Sequence, residues 1–109
     1  MLDLDRIPWT PTRHAGVHVH FLSADRESGY AAVLIRMEPG CAYPPHRHRG
    51  SEELLVLSGA YEDELGCYAE GSFVRYDDGS RHHPRCPEDA ASDCVLFAIA
   101  REGIELLET

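Results

Sequence analysis

Two imidazoles and a carboxylate at fixed spacing are the first residues in this chain that can do chemistry together. His46 and His48 stand two residues apart, and Glu52 follows four residues after His48, in a run bracketed by Gly40 and Gly59: GCAYPPHRHRGSEELLVLSG. In an extended strand, residues i and i+2 point to the same face, so both imidazoles aim at one point. Gly50 and Ser51 permit a bend that returns the Glu52 carboxylate to that point. Neutral imidazoles and an ionised carboxylate are good donors to a divalent transition metal near pH 7. A fourth ligand has to come from farther along the chain, and His82, just past the turn Asp77-Asp78-Gly79-Ser80, is the candidate. His82 and His83 cannot both face inward from an extended segment. Spacing selects His82 and leaves His83 to a supporting or solvent position. By the same reasoning Glu53 faces away from the ligand point.

Other clusters are weaker. His18 and His20 have the same two-residue spacing, but no carboxylate follows at ligand reach, and Val17 and Val19 claim the core face of that segment. Cys41, Cys67, Cys86 and Cys94 contain no CxxC pair; they read as small, partly buried, reduced thiols, with Cys86 near enough to His82 to raise a supporting or redox role. Tyr30, Arg36, Tyr43 and Arg75 sit in or near strands, and sequence alone leaves open which way each faces. No acid or base is assigned.

The elements that must position these groups are strands. Val17–Leu22 alternates and is β-branched, Tyr30–Met37 is apolar nearly throughout, and Leu54–Leu57, Ser72–Tyr76 and Cys94–Ala100 are further short apolar runs. Tyr61–Tyr68 reads as a strand, a turn at Gly66 and a return; Pro84–Ser92 is a loop, and residues 103–109 are a strand or a short helical tail. Residues 1–16, with Pro8, Pro11 and the single Trp9, form an N-terminal arm that docks Trp9 on the body. Residues 17–109 form one domain. Many short strands punctuated by glycine and proline indicate an all-β sandwich or small barrel.

At 109 residues the chain has room for one core. Its formal charge of −9 argues against nucleic acid and against an anionic membrane surface. MLDLDRIPW lacks the basic head and apolar run of a signal peptide, and no stretch approaches the apolar length of a membrane span. A cytoplasmic location is expected. Exposed strand edges favour pairing between copies, so a homodimer is expected too.

The run Gly40-x5-His46-x-His48-x3-Glu52-x6-Gly59 resembles the first motif of the cupin superfamily at every marked position. Gly71, Gly79 and His82 fall at spacings of the second motif, with Asp77 in place of its usual proline and Cys86 in place of its asparagine. Within that superfamily the chain is similar to the ChrR-type group, through Trp9, Glu38-Pro39-Gly40, PHRHRGSEELLVLSG and the Gly79–His82 run. The resemblance implies a double-stranded β-helix, a jelly-roll barrel, with one divalent ion held inside by His46, His48, Glu52 and His82. Fe(II), Zn(II), Mn(II), Ni(II) and Co(II) all suit those donors. Three activities are consistent with it. One is a metal-dependent dioxygenase acting on a small enol- or diketone-like substrate. Another is a non-enzymatic zinc-binding sensor or ligand-binding module, and the third is a metal-assisted isomerase or lyase. The chain has no helical segment ahead of the arm that would serve as a sigma-binding domain, so that activity is not expected of it.

Overall fold

The structure, a computed structural model, describes residues 3–107. A 3₁₀ turn at Leu4–Arg6 leads into β1 (Thr10–Pro11), β2 (Val17–Ala24), β3 (Ala31–Met37), β4 (His46–His48), β5 (Glu52–Ser58), β6 (Ala60–Asp63), β7 (Gly66–Ala69), β8 (Phe73–Tyr76), β9 (Arg81–His82), β10 (Cys94–Ala100) and β11 (Ile104–Leu106). All pairings are antiparallel, and the described residues contain no α-helix. Six strands make one sheet in the order β1-β2-β3-β10-β5-β8. Three make a second, β11-β4-β9, and β6 with β7 makes a hairpin. The two sheets enclose a cavity, as the expected all-β barrel requires.

The hydrophobic pattern explains the layering. On β2, Val17 and Val19 face inward, with Val17 among the most buried residues, while Phe21 lines the cavity and is 57% exposed. β3 and β10 lie at the centre of the large sheet and run apolar along most of their length, because both of their faces are covered. Val17, Met37, Leu54, Val56 and Leu96 share one core; burying such side chains contributes about 1.5–3 kcal/mol each. Register shifts between Phe21 and Ser23, and between Val95 and Leu96, are irregularities of the kind that bend a sheet toward closure.

The expected strands form, with shifted ends. β3 starts at Ala31, and β5 starts at Glu52 because Glu52 pairs with Ala100 and Tyr76. The turn of the β6–β7 hairpin falls at Glu64-Leu65, where Leu65 N donates to Asp63 Oδ1 at 2.9 Å; Gly66 already pairs with Asp63. Residues 104–106 are a strand, so the helical alternative for the tail does not hold there, while residues 108 and 109 lie outside the described part. The segment ahead of β2 is tied in by pairing of Thr10 with Val19. Trp9 packs on the outside of the large sheet: its indole donates to Leu4 O at 2.9 Å, and the Arg36 guanidinium lies 5.9 Å from its ring centre.

Gly59 turns the chain from β5 into β6 with φ +75°, and a Cβ there would stand 2.4 Å from the backbone oxygen of Asp93. Backbone on both sides cannot yield, so Gly59→Ala should destabilise the fold by roughly 3 kcal/mol or more. Urea titration checks this; an unchanged midpoint would mean the turn can relax.

Candidate metal centre

β4 carries His46 and His48 on its inner face and turns Arg47 outward, where it lies 3.9 Å from Glu105. β9 pairs directly with it, setting His82 opposite His46. Between His48 and Glu52 the chain reverses at Gly50, whose φ is +75° and whose N–H donates to Asp78 Oδ1 at 2.9 Å. That turn delivers Glu52 to the start of β5. Ligand atoms of His46, His48, Glu52 and His82 all lie within 4.8 Å of one another. The side chains are withdrawn from solvent, with His46 4%, His48 1%, Glu52 9% and His82 2% exposed.

Hydrogen bonding fixes the protons on these rings. His46 Nδ1 donates to the Pro44 carbonyl at 3.0 Å. Ser80 Oγ donates its own proton to Asp77 O at 2.6 Å, so it accepts from His48 Nδ1 at 2.9 Å. His82 Nδ1 donates to Asp63 Oδ2 at 2.9 Å. Each neutral imidazole has thereby committed its single proton to the outer nitrogen, and all three Nε2 atoms bring lone pairs inward. His46 Nε2 and His82 Nε2 stand 2.9 Å apart with no proton to share. His48 Nε2 is buried without a hydrogen-bond partner among the described residues, 3.2 Å from Glu52 Oε1. Such a set is repulsive by itself and satisfied by one cation. Donors at right angles on an ion about 2.1 Å away are about 3 Å apart, which fits the His46–His82 pair at 2.9 Å and the His48–Glu52 pair at 3.2 Å.

Asp63, Tyr61 and Tyr76 belong to the site and carried no signal in the sequence. Asp63 ends β6 with its side chain fully buried (0% exposed). Its Oδ2 accepts from Tyr76 OH at 2.5 Å and from Tyr61 OH at 3.3 Å besides His82. Burial works against the Asp63 carboxylate, but the Tyr76 and His82 bonds and the Leu65 N–H outweigh it and hold its pKa below the ordinary value. Burial pushes the Tyr61 and Tyr76 hydroxyls upward, so both remain donors. Only the chain reversal at Glu64-Leu65 brings an acid here from 19 residues before His82, and no ligand spacing marks it.

The remaining polar residues sort cleanly. Glu53 faces outward to Arg101 at 2.5 Å and Arg75 at 4.0 Å. Arg36 is held by Asp93 at 2.7 Å and Asp5 at 3.3 Å. His83 is exposed. His18 and His20 lie partly exposed on β2, away from the four converging donors. All four cysteines are free. Cys86 is packed in the core and contacts Ser92 O, and burial raises its thiol pKa, which removes the thiolate that redox chemistry needs. Tyr43 turns inward: its ring meets that of His46 edge-on at 5.6 Å.

Burial lowers the His46 pKa from 6.5 to about 4, and burial likewise lowers that of His82. The unfolded chain binds those protons near pH 6.5 and the folded chain only near 4 for His46. Acidification through that window therefore favours unfolding, and stability is recovered as pH rises above 6.5. Metal-free protein should lose about 3 kcal/mol from His46 between pH 6.5 and 4. Chemical denaturation at stepped pH reads this; a flat profile would contradict the buried neutral imidazole.

The donors open onto a cavity of about 240 Å³ between the sheets, lined mainly by aliphatic side chains of β2, β3, β5 and β10. An antiparallel two-sheet barrel with three imidazoles and a carboxylate converging inside it is the architecture of a cupin. The ChrR Cupin-like domain model matches residues 1–100, and the chain belongs to that family. It is 33% identical over 95 residues to the Anti-sigma-E factor ChrR of Cereibacter sphaeroides; the match takes in 87% of this chain and 42% of that protein, so the chain spans about two fifths of the curated relative. Among solved structures, an RmlC-like cupin protein from Ralstonia eutropha superposes with a TM-score of 0.84 at 23% identity, covering 99% of this chain and 71% of the other. An acetylacetone dioxygenase from Acinetobacter johnsonii superposes with a TM-score of 0.81 at 13% identity, covering 99% and 77%. At those identities the two structures speak to the fold alone.

Proposed function

We propose that His46, His48, Glu52 and His82 hold one divalent transition metal, and that the chain is a metal-dependent dioxygenase acting on a small enol- or diketone-like molecule. The observation that carries this is the junction of the donor set with the apolar cavity. A structural zinc closed by four side chains has no use for an adjoining space, whereas a reacting ion needs one. When bound, the metal supplies Lewis acidity and a template for substrate and oxidant. The protein's part is done by its own residues. Pro44, Ser80 and Asp63 hold the three rings in the metal-binding tautomer. Glu52 offsets one charge of the cation. The aliphatic walls keep water from the reacting centre. The protein is loaded with Fe(II), Mn(II), Co(II), Ni(II) or Zn(II), and oxygen uptake is followed with β-diketones and hydroxyaryl ketones. Uptake with the Fe(II) form supports the proposal, and silence across all five metals overturns it.

A second reading, a zinc-binding sensor or ligand-binding module without turnover, is favoured by the 33% identity to an anti-sigma factor. It expects stoichiometric zinc after purification without added metal. For assembly, a homodimer is proposed, since β8 is an open edge of the large sheet and carries Phe73 at 64% exposure. Light scattering coupled to size exclusion should give twice the chain mass, and a monomer mass rejects it. No helix among the described residues is long and apolar enough to cross a membrane.

A further inference from the structure

The cavity is chemically lopsided. Val19, Val33, Ile35, Leu54, Leu96 and Ile104 supply hydrocarbon walls, and among the described residues no arginine lines it. Its polar side chains are three of the four converging donors, His46, Glu52 and His82, and two tyrosines. The Tyr61 hydroxyl is engaged by Tyr76 at 2.7 Å, His82 at 3.1 Å and Asp63 at 3.3 Å. The Tyr43 hydroxyl has no hydrogen-bond partner among the described residues, although the ring lines the cavity.

Tyr43 is also held rigidly. Its ring sits edge-on to His14 at 5.4 Å and to His46 at 5.6 Å, its N–H donates to Pro84 O at 3.0 Å, and Pro44 beside it receives the His46 Nδ1 proton. One segment therefore fixes both a metal-facing imidazole and an uncommitted O–H donor. A ligand offering an acceptor beside the metal gains that hydrogen bond without reorganisation. A ligand with a second charged group finds no counter-charge and pays its desolvation in full. The volume, about 240 Å³, is below that of drug-sized sites, which start near roughly 300 Å³.

We propose that Tyr43 is the specificity-determining residue of this cavity, donating to the metal-bound edge of a small molecule that is hydrocarbon apart from one chelating pair of oxygens. Sugars, uronates and dicarboxylates are excluded by the same walls. This rests on the metal-site reading above but not on turnover, so it holds for the enzyme and for the sensor alike.

The test uses the full chain loaded with Co(II), titrated with acetylacetone and with 2,4-dioxopentanoate, which keeps the diketone and replaces one terminal methyl by a carboxylate. Visible absorption of the cobalt reads binding. Acetylacetone should bind at least about tenfold more tightly than 2,4-dioxopentanoate, and Tyr43→Phe should weaken acetylacetone about tenfold, the worth of one hydrogen bond, with cobalt content unchanged. Equal binding of the two probes, no binding of acetylacetone to the cobalt protein, an indifferent Tyr43→Phe variant, or loss of cobalt from that variant each overturns the assignment. Oxygen uptake by the Fe(II) form separates the two proposals. Tight acetylacetone binding without uptake defeats the oxygenase alone. Uptake with an indifferent Tyr43→Phe variant defeats the Tyr43 assignment alone.

Discussion

Replacing His48 by alanine should abolish metal retention and, with it, the response of the melting temperature to chelator. His48 is the most buried of the four donors, and its Nε2 has no hydrogen-bond partner among the described residues to fall back on. Metal at about 1,000 times its dissociation constant stabilises the folded state by about 4 kcal/mol. For a domain of this size that corresponds to a melting shift on the order of 15–20 °C. EDTA should lower the wild-type melting temperature by that amount. It should leave His48→Ala unmoved, because the variant, with less than about a tenth of an equivalent bound, has nothing to lose. Calorimetry with and without EDTA, alongside metal analysis, makes the comparison. Full metal occupancy in the variant would place the ion elsewhere.

Asp63→Asn should weaken metal binding by about 10- to 100-fold, the usual cost of losing a carboxylate behind a ligating imidazole. The buried Asp63 carboxylate accepts a hydrogen bond from His82 Nδ1, which orients the ring and raises the basicity of Nε2. It also matters to the charge balance. A dication with Glu52 alone leaves one positive charge in a largely apolar interior, and the ionised Asp63 brings the total to zero, which limits the penalty for burying charge. Asparagine keeps the shape and an acceptor oxygen but removes the charge, so metal-free stability should change far less than affinity. Competition with a chromophoric chelator gives the affinity, and denaturation of the metal-free protein gives the stability. Unchanged affinity with lowered stability would reduce Asp63 to a cap on the Tyr61–Tyr76 pair.

How much of this was legible in the chain depends on whether the contact is local. The face shared by His46 and His48 follows from strand periodicity, and the return of Glu52 follows from Gly50. Spacing selects Glu52 over Glu53; in the structure Glu52 lies among the converging donors, and Glu53 turns out to Arg101. His82 could be nominated because a turn of Asp, Gly and Ser precedes it, and its pairing with His46 in register is what that spacing achieves. The apolar runs of β2, β3 and β10 announced themselves. Asp63, Tyr61 and Tyr76 did not, since their convergence on His82 comes from the hairpin folding across the barrel, and nothing local distinguishes Asp63 from Glu62 or Glu64. Nor could the inward turn of Tyr43 be read, because β4 and β9 are only three and two residues long and the segments around them have no period to extrapolate.

The central claim is that three Nε2 lone pairs and one carboxylate oxygen, and nothing else from the protein, meet on a single ion. X-ray absorption at the zinc edge of the zinc-loaded protein tests it directly. The expected spectrum shows about three imidazole nitrogens with oxygen at about 2.0–2.2 Å and no sulfur at about 2.3 Å. A sulfur shell would move the ion to the cysteines, and a shell without imidazole scattering would leave the facing lone pairs of His46 and His82 unexplained and contradict the account.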